Sequence, residues 1–97
     1  MKIRVNISTN FVSLGNNSVP TEIDLDAENN TLLELLCRLN ERLPHLKLTN
    51  NGEMGEDLKY VYLNGISHFN LPYGLKTRLN QNDLVHVEIF MEPLAGG

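Results

Sequence analysis

Cysteine is almost missing from this sequence. Cys37 stands alone, which excludes an intramolecular disulfide, a cysteine-ligated iron–sulfur cluster and a Cys-x-x-Cys redox pair, and with them a ferredoxin-like electron carrier. Basic residues are also in deficit, eight Lys and Arg against twelve Asp and Glu, and the net charge of −4 argues against an electrostatic footprint for nucleic acid or anionic membrane. Such a balance suits a partner with a basic face. Long apolar runs are absent, and Met1-Lys2-Ile3-Arg4-Val5 lacks the continuous apolar core of a signal peptide, so a cytoplasmic location is expected. His45, His68 and His86 are far apart and none pairs with cysteine or carboxylate at a ligand spacing, so no metal is assigned. With no Ser/His/Asp set and no phosphate-cradling glycine loop, the isolated chain is expected to bind no cofactor and to lack catalytic activity.

What is present reads as one domain over residues 1–97, long enough to bury roughly 60–70% of its unfolded surface. Ile3, Val5 and Ile7 alternate with Lys2, Arg4 and Asn6, the period-two pattern of a half-buried strand. Gly15-Asn16-Asn17 is turn chemistry, and Val19 to Leu25 resumes the alternation, which predicts an N-terminal hairpin. Pro20 has no amide hydrogen for a ladder and belongs at the start or the open side of an edge strand. Thr31-Leu32-Leu33-Glu34 fits a capping box, and Leu32, Leu35, Leu36, Leu39 and Leu43 make one apolar stripe on the helix it opens. Pro44 stops that helix near Leu43, and Cys37 sits beside the stripe as a small hydrophobe. His45 to Leu58 is polar and reads as a long loop. Tyr60 to Asn64 is strand-like, Asn64-Gly65 is a tight-turn signal, and Ile66 to Phe69 returns from it. Leu71 to Leu79 reads as irregular or briefly helical, and Leu84 to Phe90 as a central last strand. The order predicts an α+β domain, a mixed four- to five-stranded sheet with one main helix packed on one face.

The sequence ends on Leu94-Ala95-Gly96-Gly97 directly after that last strand. Two glycines give a thin, flexible segment able to enter an active site too narrow for any side chain, and the reactive group there is the Gly97 carboxylate. A carboxylate at neutral pH is a poor acyl donor. It must be activated, for instance as an acyl-adenylate, before sulfur or an amine can displace the leaving group.

Four motifs in this order carry a resemblance: Val61-Tyr62-Leu63-Asn64-Gly65, Gly74-Leu75-Lys76-Thr77-Arg78-Leu79, Asn82-Asp83-Leu84-Val85, and Pro93-Leu94-Ala95-Gly96-Gly97. Together they resemble the MoaD/ThiS sulfur-carrier family, which includes the small subunit of molybdopterin synthase and the thiamine-pathway carrier. The resemblance spans the whole sequence and implies a ubiquitin-like β-grasp fold. It implies that Gly97 is adenylated with ATP by an adenylyltransferase related to ubiquitin-activating enzymes, and converted by a sulfur donor protein to a thiocarboxylate. A sulfur-accepting synthase, first of all the large subunit of molybdopterin synthase, then takes the sulfur. The protein would be a sulfur-donating substrate or non-catalytic synthase subunit. The long stretch before Tyr60 is similar to the molybdopterin-type members more than to the compact thiamine carriers, and the sequence also resembles carriers that feed cysteine synthesis and archaeal small modifiers. A modifier would use the same activated Gly97 to form an isopeptide with lysines of other proteins. A plain β-grasp interaction domain would use the tail for nothing.

The residues expected to enter a partner's active site are Pro93, Leu94, Ala95, Gly96 and Gly97, with Pro93 stiffening the exit. One departure from the family's common Pro-Pro-Val-Ala-Gly-Gly ending is Glu92, which adds a charge near the tail. Phe69, Phe90, Met91 and Glu92 form a candidate partner interface, since interface centres favour aromatic residues and Met; Phe69, Phe90 and Leu94 fit a core position as well. Glu88 and Glu92, with Asp83, are a candidate acidic face for a basic partner.

Overall fold

The computed structural model describes residues 1–9 and 21–89. Strand β1 (Lys2–Thr9) pairs antiparallel with β2 (Thr21–Asp24), as the alternation predicts, and lies parallel to β7 (Leu84–Ile89) on its other side. Helix α1 (Leu32–Arg42) follows β2. A small two-stranded sheet, β3 (Thr49–Asn50) with β4 (Glu53–Met54), leads into β5 (Leu58–Leu63), which turns through Asn64-Gly65 into β6 (Ile66–Ser67). Two 3-10 helical turns, His68–Asn70 and Gly74–Lys76, bring the chain to β7. The main sheet has the order β2-β1-β7-β5-β6, so the last strand is central and β2 is an edge, where Pro20 was expected, although Pro20 itself lies outside the described residues.

The core is where period two meets period 3.6. Ile3 and Val5 of β1, Val61 and Leu63 of β5, and Val85, Val87 and Ile89 of β7 point to one face of the sheet, and Leu32, Leu35, Leu36 and Leu39 of α1 cover it. Thr31 is the N-cap of α1, its hydroxyl accepting from the Glu34 amide at 3.2 Å. The reciprocal half of the expected capping box is replaced: the Glu34 carboxylate accepts from Arg38 Nε at 3.2 Å, one turn along the helix. Leu43, before Pro44, is the C-cap and only half-buried, so the stripe ends in substance at Leu39.

The stretch read as a long loop is a bonded structure. Asn51 and Gly52 take positive φ of 52° and 84° and reverse the chain between β3 and β4, and Leu46 and Leu48 enter the core. The Asn40 side chain ties this hairpin to the end of α1: its Nδ2 donates to the carbonyls of Leu43 (3.3 Å) and Leu46 (2.7 Å), and its Oδ1 accepts from the amides of Leu48 (3.1 Å) and Thr49 (3.2 Å) and from the Thr49 hydroxyl (3.4 Å). Gly55 closes the other side, its amide donating to the Leu48 carbonyl at 2.8 Å. A Cβ on Gly55 would overlap the Lys47 carbonyl, which is backbone and has nowhere to go. Gly55→Ala is therefore expected to destabilise the protein by about 1–3 kcal/mol, the usual cost of overpacking, as read from the urea midpoint of unfolding. An unchanged midpoint would show that the 47–57 backbone yields freely.

Candidate functional site

The site is built on β7. Its six residues are flanked on both sides, Val85, Val87 and Ile89 standing opposite Val5, Ile7 and Thr9 of β1 and opposite Leu63, Val61 and Leu58 of β5. Ile89, the last described residue, is buried. Phe90, Met91, Glu92, Pro93, Leu94, Ala95, Gly96 and Gly97 lie outside the described residues.

On the face turned away from α1, side chains of three adjacent strands meet beside the end of β7. Tyr62 of β5 packs against His86 of β7 with ring centroids 5.9 Å apart, and Tyr60 continues the row at 6.1 Å from Tyr62. Lys59 occupies a bulge in β5, between Leu58 opposite Ile89 and Tyr60 opposite Glu88, and its ammonium lies 5.7 Å from the Tyr60 ring centre. Ser8 Oγ and His86 Nε2 are hydrogen bonded at 3.1 Å. That contact has the outline of a nucleophile and a base, yet the described residues supply neither a group bonded to His86 to orient it nor a pair of amide donors for an oxyanion. The face sets two tyrosines and an imidazole beside Glu88, one residue before the last described one.

The sequence-predicted residues distribute unevenly. Phe69 is exposed, in the first 3-10 turn beyond edge strand β6, and β5 lies between it and β7. Asp83 is at the opposite end of β7 from Glu88, where Oδ1 accepts from Asn64 Nδ2 at 3.1 Å and Oδ2 from the Asn80 amide at 2.7 Å, holding the turn before the strand. Tyr60, Tyr62 and Ser8 escaped the sequence reading, although alternation through 58–63 places both tyrosines on the outer face. His68 is buried beside the Phe69 ring, centroids 4.0 Å apart, with Nδ1 lacking a partner; nothing in its polar neighbourhood in sequence marks it as interior. His45 is an exposed turn residue and Cys37 is half-buried, its thiol 4.0 Å from Thr49 Oγ1. An open cleft of about 450 Å³ lies among Lys47, Thr49, Asn50 and Glu56; Glu56, hydrogen bonded and charge-paired at 2.9 Å, holds the exposed Lys47 ammonium above its ordinary range and occupies the cleft's own cation. Among the described residues there is no metal-holding cluster of His, Cys, Asp or Glu, and no helix is long and apolar enough to cross a membrane.

No family model matches the sequence, and no curated protein matches it. Solved structures do. The crystal structure of small archaeal modifier protein 1 from Haloferax volcanii covers 100% of this chain and 100% of its own at a TM-score of 0.64 and 20% identity. The fold is a ubiquitin-like β-grasp. A second crystal structure of that modifier gives 0.64 at 18% identity over 93% of this chain and 98% of its own. The solution structure of the HVO 2177 protein, also from Haloferax volcanii, gives 0.65 at 25% identity over 100% of this chain and 87% of its own. The β-grasp expectation is met in its particulars: the central last strand, the mixed sheet and the single long helix packed on one face among the described residues.

Proposed function

We propose that the protein carries an activated acyl group at Gly97. A partner adenylyltransferase related to ubiquitin-activating enzymes uses ATP to convert the Gly97 carboxylate to an acyl-adenylate, releasing pyrophosphate. Sulfur supplied at the sulfide level by a donor protein, with a thiol reductant releasing it, then attacks the acyl carbon; the C–S bond forms as the C–O bond to AMP breaks, leaving a thiocarboxylate. In this reading the chain is a sulfur carrier of the molybdopterin-synthase type, and the synthase large subunit takes the sulfur while water returns the carboxylate oxygen. The chain itself is the substrate. The observation that carries this reading is the position of β7. The strand that leads to Pro93-Leu94-Ala95-Gly96-Gly97 is clamped between β1 and β5, so a rigid body beside it can dock on a partner while two glycines reach inward. The open face of Tyr60, Tyr62, His86 and Glu88 adjoins that exit and offers the aromatic surface such docking needs.

The likeness to small archaeal modifier protein 1 favours a second use of the same group. There the amine of a target lysine displaces AMP and forms an isopeptide bond with Gly97. Tandem mass spectrometry of the protein from its native host separates the two. A sulfur-for-oxygen shift localised to fragments of Pro93 to Gly97 is the expected mark of the carrier. Localisation is required because oxidation of Met1, Met54 or Met91 adds nearly the same nominal mass. Gly-Gly remnants on lysines of other proteins mark the modifier. Neither mark, in cells with the activating enzyme present, would sink both readings.

A further inference from the structure

Charge is unevenly spread along this chain. Residues 58–82 hold three of the eight Lys and Arg, none of the twelve Asp and Glu, and four of the six aromatic residues, so the net negative charge lies wholly outside them. Much of that segment is the edge of the sheet formed by β6 and the two 3-10 turns. Leu71 and Leu75 pack against the core and hold the turns in place, while Ile66 (50% exposed), Phe69 (70%) and Tyr73 (76%) face solvent. The backbone that presents them is bonded turn by turn: the Leu71 amide donates to the His68 carbonyl (3.2 Å), Gly74 to Leu71 (3.0 Å) and Lys76 to Tyr73 (2.9 Å). Among the described residues no ion pair engages Lys76 or Arg78, although Arg38 and Lys47 each have one.

We propose that this segment, with Ile66, Phe69 and Tyr73 exposed and the exposed cations Lys76 and Arg78 following them in the chain, is a second docking surface that takes an acidic protein segment carrying an apolar anchor. Large aromatic side chains on a braced backbone lose little conformational freedom when covered, and they supply the anchoring contacts of most interfaces. The two cations select charge. Screening confines their field to about 8 Å at physiological salt, so a short acidic segment meets the local cations and not the acidic remainder. A nucleic acid strand, longer and more highly charged, would meet the repulsion of the whole molecule. A second copy docked through the same edge would set Lys76 and Arg78 against their counterparts. The surface stands two strand spacings, roughly 10 Å, from β7, so it remains accessible while the tail is engaged and does not depend on the chemistry of Gly97.

The test is a titration of the full-length, isotope-labelled protein with the peptide acetyl-Glu-Asp-Trp-Leu-Asp-Glu-amide, followed by amide chemical shifts. Shifts concentrated in residues 66–78, with a dissociation constant below about 1 mM at low salt, are expected. Phe69→Ala with Tyr73→Ala, and separately Lys76→Glu with Arg78→Glu, should each weaken binding about tenfold while leaving the remaining amide spectrum in place, because all four side chains are exposed. Absence of shifts at about 5 mM peptide, or equal binding of the Gln/Asn version of the peptide, overturns the proposal. So does tighter binding of a single-stranded oligothymidylate to the same amides. Shifts at 66–78 on concentrating the protein alone would give the edge to a second copy and overturn it too.

Discussion

Removal of Gly96 and Gly97 is expected to abolish sulfur transfer or conjugation, by at least about 100-fold, without a measurable change in folding stability. The reacting carboxyl must reach a partner's catalytic groups to within an ångström, and a chain shortened by two residues ends several ångströms short of them. Among the described residues the pairings of β7 with β1 and β5 run from Leu84 to Ile89, eight residues before Gly97. The check has two parts, complementation of a sulfur-transfer or conjugation defect and a urea unfolding curve. A truncated protein that complements fully would leave only the binding-domain reading. A truncated protein with a lowered urea midpoint would show the tail packing on the body, and the loss of transfer would then need a different account. Gly96→Val should give the same functional loss at full length, since a branched side chain closes the narrow path that two glycines open.

The second large effect is on stability. Asn40→Ala should cost about 2–4 kcal/mol, because one side chain bonds four backbone groups between Leu43 and Thr49 and so ties the end of α1 to the 46–49 segment. Each lost bond is modest, but two carbonyls and two amides each lose a bond together, and of the four the Leu43 carbonyl keeps one from the Leu46 amide. For a domain of this size the melting temperature should fall by about 4–8 °C per kcal/mol. Asn40→Asp keeps the acceptor for Leu48 and Thr49 but aims a carboxylate at the carbonyls of Leu43 and Leu46 near a helix C-terminus, so it should not restore the loss. Hydrogen exchange adds a local reading, with the Leu48 and Thr49 amides losing protection first. A loss under about 1 kcal/mol would mean that Leu46 and Leu48, through burial alone, hold the hairpin.

Asn40 also shows where sequence reasoning stops. β1, β5, β7 and α1 were legible because each is long enough to display its period, and each has one buried face to enforce it. β3 and β4 are two residues each, too short for any alternation, although Asn51-Gly52 carried the turn signal of a hairpin. What makes that hairpin stand is a helix side chain nine residues away from Thr49, and a non-local bond leaves no local pattern. The outer face of the sheet is half legible: Glu88 shows as a candidate acidic residue, whereas Tyr60 carries only a strand signal and Tyr62 only its place in the Val61–Gly65 motif. Ser8 and His86 come from opposite ends of the chain and meet only because β1 lies parallel to β7. His68 belongs to the same class, interior by tertiary placement alone.

The parallel contact of β1 with β7 bears on how this molecule comes into being. Arg4 faces Leu84 and Thr9 faces Ile89, so β1, which finds β2 nearby in sequence, waits for β7 before it gains its second neighbour. Closing so large a loop costs entropy before any contact repays it, and folding rates fall as contacts become more distant in sequence. The β1–β2 ribbon and α1 must wait with Leu32, Leu35, Leu36 and Leu39 uncovered on their inner side until β7 is made. β7, the strand from which Gly97 is reached, is therefore the one whose arrival closes the main sheet between β1 and β5.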